Sequence, residues 1–180
     1  HLSASIVIVF IVVVMMFMAG SKISHFMSAI PVGIVGIIAM ILKEGGFRLN
    51  RVMAFLNPWE DIRGSSWQIV QSLYAIGSGG LFGSGLGDSK QKYLYISEPH
   101  NDFIFAVLAE ELGFIGCALV VILFAIFVWR GIVIAMRAPD TFGSLMAIGI
   151  TALIGIQAII NIAVVTSSMP VTGMALPFLS

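Results

Sequence analysis

The chain has 180 residues, 59% of them hydrophobic and only 10% charged, with a mean hydropathy of +1.06. A soluble domain carries roughly 25% charged residues, so this composition cannot cover a water-facing surface, and the apolar residues must face lipid or one another. Nine basic residues balance nine acidic ones, for a net charge of zero; that excludes the basic surface nucleic acid requires.

Four apolar runs approach or exceed the roughly 20 residues of helix that cross a bilayer: 2–19, 26–42, 103–129 and 142–165. The second holds Pro31, Gly33 and Gly36, which membrane helices tolerate. The third carries Glu110 and Glu111 near its start, and the fourth Gln157 and Asn161. The pattern predicts an all-α, polytopic membrane helix bundle. Lys22 falls between the first two runs, and Arg130 and Arg137 between the last two. The positive-inside rule then puts those short loops in the cytoplasm and residues 43–102 outside, as one large extracytoplasmic loop. The chain opens without Met and stops at Pro177-Phe178-Leu179-Ser180, so it reads as an internal piece of a longer protein.

Within the loop, Ser65 or Ser66 is placed to cap a helix from Trp67 to about Ile76. On it Ile69, Val70, Leu73 and Tyr74 share one face, with Gln68, Gln71 and Ser72 opposite, as in a helix lying on the membrane surface. Six glycines follow between Gly77 and Gly87. No Gly-Lys-Ser/Thr follows and no strand precedes, so neither a P-loop nor a dinucleotide fingerprint fits. A flexible loop or a backbone nest for phosphate remains.

The residues with chemical potential cluster from Glu98 to Gly113. His100 and Asp102 stand where the chain enters the third run, and Asp102, Ala106 and Glu110 share a helical face by spacing. Asn101 or Asp102 reads as an N-cap. Alternatively Asp102 is a carboxylate at the lipid–water boundary, raised in pKa by partial desolvation and so fit to act as a general base. Glu110 and Glu111 either sit in the headgroup layer or face a cavity or partner. Arg48, Arg51 and Arg63 suit a diphosphate, which guanidinium groups bind bidentately, or pair with Glu60 and Asp61. Gln157 and Asn161 suit interhelical hydrogen bonds. Cys117 has no partner for a disulfide, and His1, His25 and His100 are too far apart in sequence to form a metal signature.

Several of these stretches together resemble the shape, elongation, division and sporulation (SEDS) family, that of FtsW, RodA and SpoVE. They are Trp67-Gln68 with Gln71-Ser72-Leu73, Ala75 to Leu81, Gly83-x-Gly85-Leu86-Gly87, Gln91-Lys92-Tyr93, His100 to Ala106, Ala109 to Gly113, and Pro170 to Ser180. Phe47 to Arg51 and Asn57 to Asp61 look closer to the division and sporulation branch than to RodA. The chain departs from the family in having Ile96-Ser97-Glu98-Pro99 where Leu-Pro-Glu is usual, and Asn101 where Thr is common.

The resemblance implies that the chain covers the sixth to ninth of about ten spans, in the bacterial inner membrane. It implies an inverting glycosyltransferase that polymerises lipid II and releases undecaprenyl diphosphate. The family's essential acid falls on Asp102; Arg48, Arg51, Arg63, Lys92, His100 and Glu110 are the candidates to bind substrate. A divalent cation, Mg or Mn, is a candidate to share the diphosphate, although no motif specifies one. The implied partners are a class B penicillin-binding protein transpeptidase and divisome proteins. The rival readings are a lipid II flippase, whose path Gln157 and Asn161 would line, and a non-catalytic scaffold for the transpeptidase.

Overall fold

The computed structural model describes residues 2–22, 24, 33, 35–36, 53–62, 64, 66–88 and 102–180. The run at 26–42 falls almost wholly outside them, as do Arg48, Arg51, Arg63, Lys92 and His100. Every regular element among the described residues is helical: α1 (Leu2–Met18), α2 (Trp67–Gly79), α3 (Ile104–Met136) and α4 (Thr141–Val165). Helices α3 and α4 are long and apolar enough to cross a membrane, whereas α1, also apolar, is shorter. Along their length these shafts turn large side chains outward, among them Phe10 and Phe17 of α1, Leu119 and Trp129 of α3, and Ile159 of α4. Such faces are stable only against lipid or further protein.

Helix α4 is the middle of the assembly. Both α1 and α3 pack on it, and α2 lies mainly against α3. The α3–α4 approach is close because Gly131 faces Thr151, and a Cβ at Gly131 would run into that side chain; small residues at helix crossings do this commonly in membranes.

Helix α3 runs seven residues beyond the predicted end at 129, so Arg130 lies within the helix rather than in a loop. Arginine is a good helix former, and one charge does not end a helix. The stop comes where Ala138 precedes Pro139, which disfavours helical dihedrals at the residue before it. Asp140 then caps α4, its carboxylate accepting a hydrogen bond from the backbone N–H of Gly143 at 2.9 Å.

The reading of α2 is corrected in three ways. It extends to Gly79. Its cap position, Ser66, has φ −93° and ψ −2° and makes no side-chain cap bond, its buried hydroxyl having no partner among the described residues. And it does not lie on a surface with Gln71 and Ser72 outward: both are buried, along with Ile69, Val70, Ala75 and Gly79, while Tyr74 is exposed and meets Trp59 edge-on at 5.8 Å. The reason is tertiary. The Ser72 hydroxyl lies 2.7 Å from the Ile69 carbonyl oxygen and 3.0 Å from that of Val165, so this hydroxyl is satisfied by docking against the end of α4.

The buried core sits at one end of the shafts. Ala75 of α2, Phe103, Phe105 and Ala106 at the start of α3, Ala158, Val164 and Val165 of α4, and Leu176 beyond it form one cluster.

Candidate active site at the break in α3

A helix as long as α3 would rise about 50 Å, well beyond the roughly 30 Å hydrocarbon core of a bilayer. It does not run straight. Gly113 has φ 66° and ψ −165°, a conformation that interrupts the helix and that only glycine adopts readily. Residues 114–136 alone rise about 34 Å and suffice to span. Residues 104–112 therefore form a separate short helical segment at one end, and Glu110 and Glu111 belong to it rather than to the spanning shaft.

The break frees peptide groups, and the glycine-rich stretch satisfies them. Phe114 N–H donates to Gly80 O at 2.9 Å and Ile115 N–H to Leu81 O at 3.3 Å. In return Ser84 N–H donates to Glu110 O at 2.9 Å and Gly85 N–H to Glu111 O at 3.1 Å, with the Ser84 hydroxyl also donating to Glu110 O at 3.1 Å. Residues 80–85 are thus spliced into the ladder of α3: the bonds that an unbroken helix would make from 114 to 110 and from 115 to 111 are each relayed through the loop. The approach is so close that a Cβ at Gly113 would strike the Gly83 nitrogen and lie 2.7 Å from the Leu81 carbonyl. The stretch is pinned to α3, and the Ser84 and Gly85 amides, which a phosphate nest would need free, donate to α3 carbonyls instead.

Asp102 stands just before α3. The cap position is Phe103, so the acid lies one residue outside the helix rather than at its N-cap. Phe103 is 1% exposed and anchors this entry in the core, while the Asp102 side chain is half-buried. Its Oδ2 lies 3.5 Å from where a Cβ would stand at Gly173, which is van der Waals contact; with φ +69° a side chain there would be strained. The carboxylate therefore rests against the loop 170–176. Asn161 ties the two together: its amide nitrogen donates to Asp102 O at 2.8 Å and to Met174 O at 2.7 Å.

Of the sequence-derived site residues, the structure thus describes Asp102 and Glu110. Both precede the break, Asp102 at the entry to the buried segment and Glu110 within it, 4% exposed. Asn161, which the sequence marks for interhelical hydrogen bonding, does bond across segments, to backbone carbonyls. Its place beside the acid, and that of Gly173, were missed. The positive φ at Gly173 leaves only a weak trace in sequence, a Gly after Pro170-Val171-Thr172. An apolar cavity of about 560 Å³ opens on the same segment, lined by Phe105, Ala109, Phe114, Cys117 and Val121 with Ile76 of α2 among others.

These features define an integral membrane protein of packed helices in which Asp102, Glu110, Asn161 and Ser72 gather at one end of long apolar shafts. The model of the FtsW/RodA/SpoVE family, described as cell cycle protein, matches residues 1–180, and the chain belongs to that family. It is 52% identical over 168 residues to stage V sporulation protein E of Bacillus subtilis, covering 93% of this chain and 46% of that protein. It is 44% identical over 179 residues to the probable peptidoglycan glycosyltransferase FtsW of Trichlorobacter lovleyi, covering 99% of this chain and 47% of that one. The chain thus spans about half the length of the curated relatives it matches. A solved structure concerned with coordination of polymerization and crosslinking by a peptidoglycan synthase complex shares the fold, with a TM-score of 0.72 and 24% identity over 100% of this chain and 49% of that one.

Proposed function

We propose that the full-length protein polymerises lipid II into glycan strands, with Asp102 as the general base, in cell division or sporulation. The observation that carries this reading is the setting of Asp102: a half-buried carboxylate at the polar end of an apolar shaft, its backbone and its flanking loop both held by Asn161. The acceptor sugar hydroxyl gives its proton to an Asp102 carboxylate oxygen as its own oxygen attacks the anomeric carbon of the donor with inversion. The bond from that carbon to the diphosphate breaks, and undecaprenyl diphosphate departs with the electron pair. Arg48, Arg51, Arg63 and Lys92 are assigned to the diphosphate charge, and His100 and Glu110 to the sugars. A divalent cation, Mg or Mn, would share the diphosphate; among the described residues no three His, Cys, Asp or Glu side chains converge to hold one. The cavity beside Phe105 and Ala109 suits an isoprenoid tail.

In this reading residues 43–102 face the extracytoplasmic side of a bacterial inner membrane crossed by four spans of this chain. The partners are a class B penicillin-binding protein and divisome proteins; the structural neighbour, from a peptidoglycan synthase complex that coordinates polymerization with crosslinking, supports the first. Leu86, 79% exposed beside the splice, is the position to test the sidedness. Cysteine there should react with an impermeant thiol reagent in intact cells, and labelling only after lysis would invert the topology. The flippase reading draws on polar groups within the helices, but both amide hydrogens of Asn161 are already bound to backbone carbonyls, which leaves it a poor lining for a transport path. In the full-length protein with its transpeptidase, Asp102→Asn should lower polymerisation by about 10²–10⁴-fold, the usual contribution of a general base. Normal polymerisation by a folded Asp102→Asn protein would remove the acid from the mechanism and favour a transporter or scaffold.

A further inference from the structure

Asn161 is 1% exposed and lies one turn before the end of α4, 59 residues from Asp102 in sequence. An amide nitrogen carries two hydrogens, and here both are committed: one to the carbonyl of Asp102, the other to the carbonyl of Met174. The first acceptor is the backbone of the acid itself. The second belongs to the loop against which the acid's carboxylate rests, one residue from Gly173. One side chain therefore fixes both the root of the carboxylate and the wall beside it.

No common replacement reproduces this geometry. Serine offers one hydrogen, leucine none, and an ionised aspartate would face both carbonyls with lone pairs. Glutamine keeps the amide but moves it outward by roughly one bond, about 1.5 Å. A purely structural hydrogen bond between shafts would place its acceptor on another helix; Asn161 places both on the non-helical residues that surround Asp102.

We propose that Asn161 is a positioning residue for the reaction: it sets the distance and orientation of the Asp102 carboxylate relative to the loop 170–176, and so to the acceptor hydroxyl that the carboxylate deprotonates. This rests on the reading of Asp102 as the base. A base works only within hydrogen-bond reach of its proton, and misplacement by about 1 Å is worth about 10²-fold in rate. Substrate binding, carried mainly by other residues, should be little altered.

The test is lipid II polymerisation by the full-length protein with its transpeptidase, comparing Asn161→Leu, Asn161→Ser and Asp102→Asn. Asn161→Leu is expected to lower kcat roughly 10–100-fold with KM within about threefold of wild type and assembly with the partner intact, and Asn161→Ser, which keeps one donor, to fall between. Wild-type kcat in a folded Asn161→Leu protein would overturn the inference. If Asn161→Leu does not fold, Asn161→Ser decides: reduced kcat at unchanged KM upholds the positioning role, and unchanged kcat overturns it. Misfolding of both, or a parallel loss of kcat, KM and thermal stability, would make Asn161 structural and equally overturn it. Full activity of Asp102→Asn would remove the base, and the inference with it. An inactive Asp102→Asn beside a fully active Asn161→Leu would remove the inference alone.

Discussion

Residues 104–112 and 114–136 form one continuous apolar pattern, yet they live in different solvents. Before Gly113, Phe105, Ala106, Val107, Ala109 and Glu110 are all buried by protein. After it, Phe114, Leu119, Trp129 and Met136 are turned outward, and Ala135 is the buried residue of that stretch. The difference teaches that hydrophobicity along a membrane protein does not separate core from shaft. What separates them is the backbone: a glycine break that lets a loop hydrogen-bond into the helix, and an asparagine of α4 that holds the chain at Asp102, where the buried segment begins.

The largest expected effect on stability is at the anchor of the buried segment. Phe103→Ala should destabilise the full-length protein by about 3–5 kcal/mol, the range for a fully buried Phe, read as a fall in thermal unfolding temperature in detergent. A change below about 1 kcal/mol would mean that the core around Phe103 collapses freely and does not hold Asp102 in place.

Next comes the break itself. Gly113→Ala adds a Cβ at φ 66° that meets Gly83 and Leu81. The backbone strain is worth about 1–3 kcal/mol, and each spliced hydrogen bond that is lost about 1 kcal/mol. Thermal unfolding should show the loss, and protease nicking within 80–88 should increase as the loop detaches. If Gly113→Ala melts like wild type with the loop still protected, the helix tolerates straightening and the contrast between its two parts is weaker than the geometry indicates.

The smallest effect should be on the shaft. Leu119→Ala, at a side chain 57% exposed, should change stability by less than about 0.5 kcal/mol where lipid covers it. A cost of about 2–5 kcal/mol would instead mark a face packed by protein outside these residues, and a scan along 114–136 read in this way would map where such protein docks.

Composition and the length of the apolar runs were enough to read an all-helical membrane protein, because a bilayer forces backbone groups to be satisfied within each crossing segment. The start of α3 beside Asp102 was legible for the same reason: polar residues give way to a long apolar run there. The outward direction of Gln71 and Ser72 was misread, since spacing assigns faces but cannot say which face a neighbour will satisfy; Ser72 is buried because Val165 offers it a carbonyl. The glycine-rich stretch looked like a loop because nothing local shows that its partner is a broken helix about 30 residues further on. Asn161 could be placed within a helix from sequence, but only the tertiary structure decided that its two hydrogens reach Asp102 and Met174. Hydropathy and periodicity are properties of neighbours along the chain, whereas a hydrogen bond across 59 residues exists only once packing has brought its ends together.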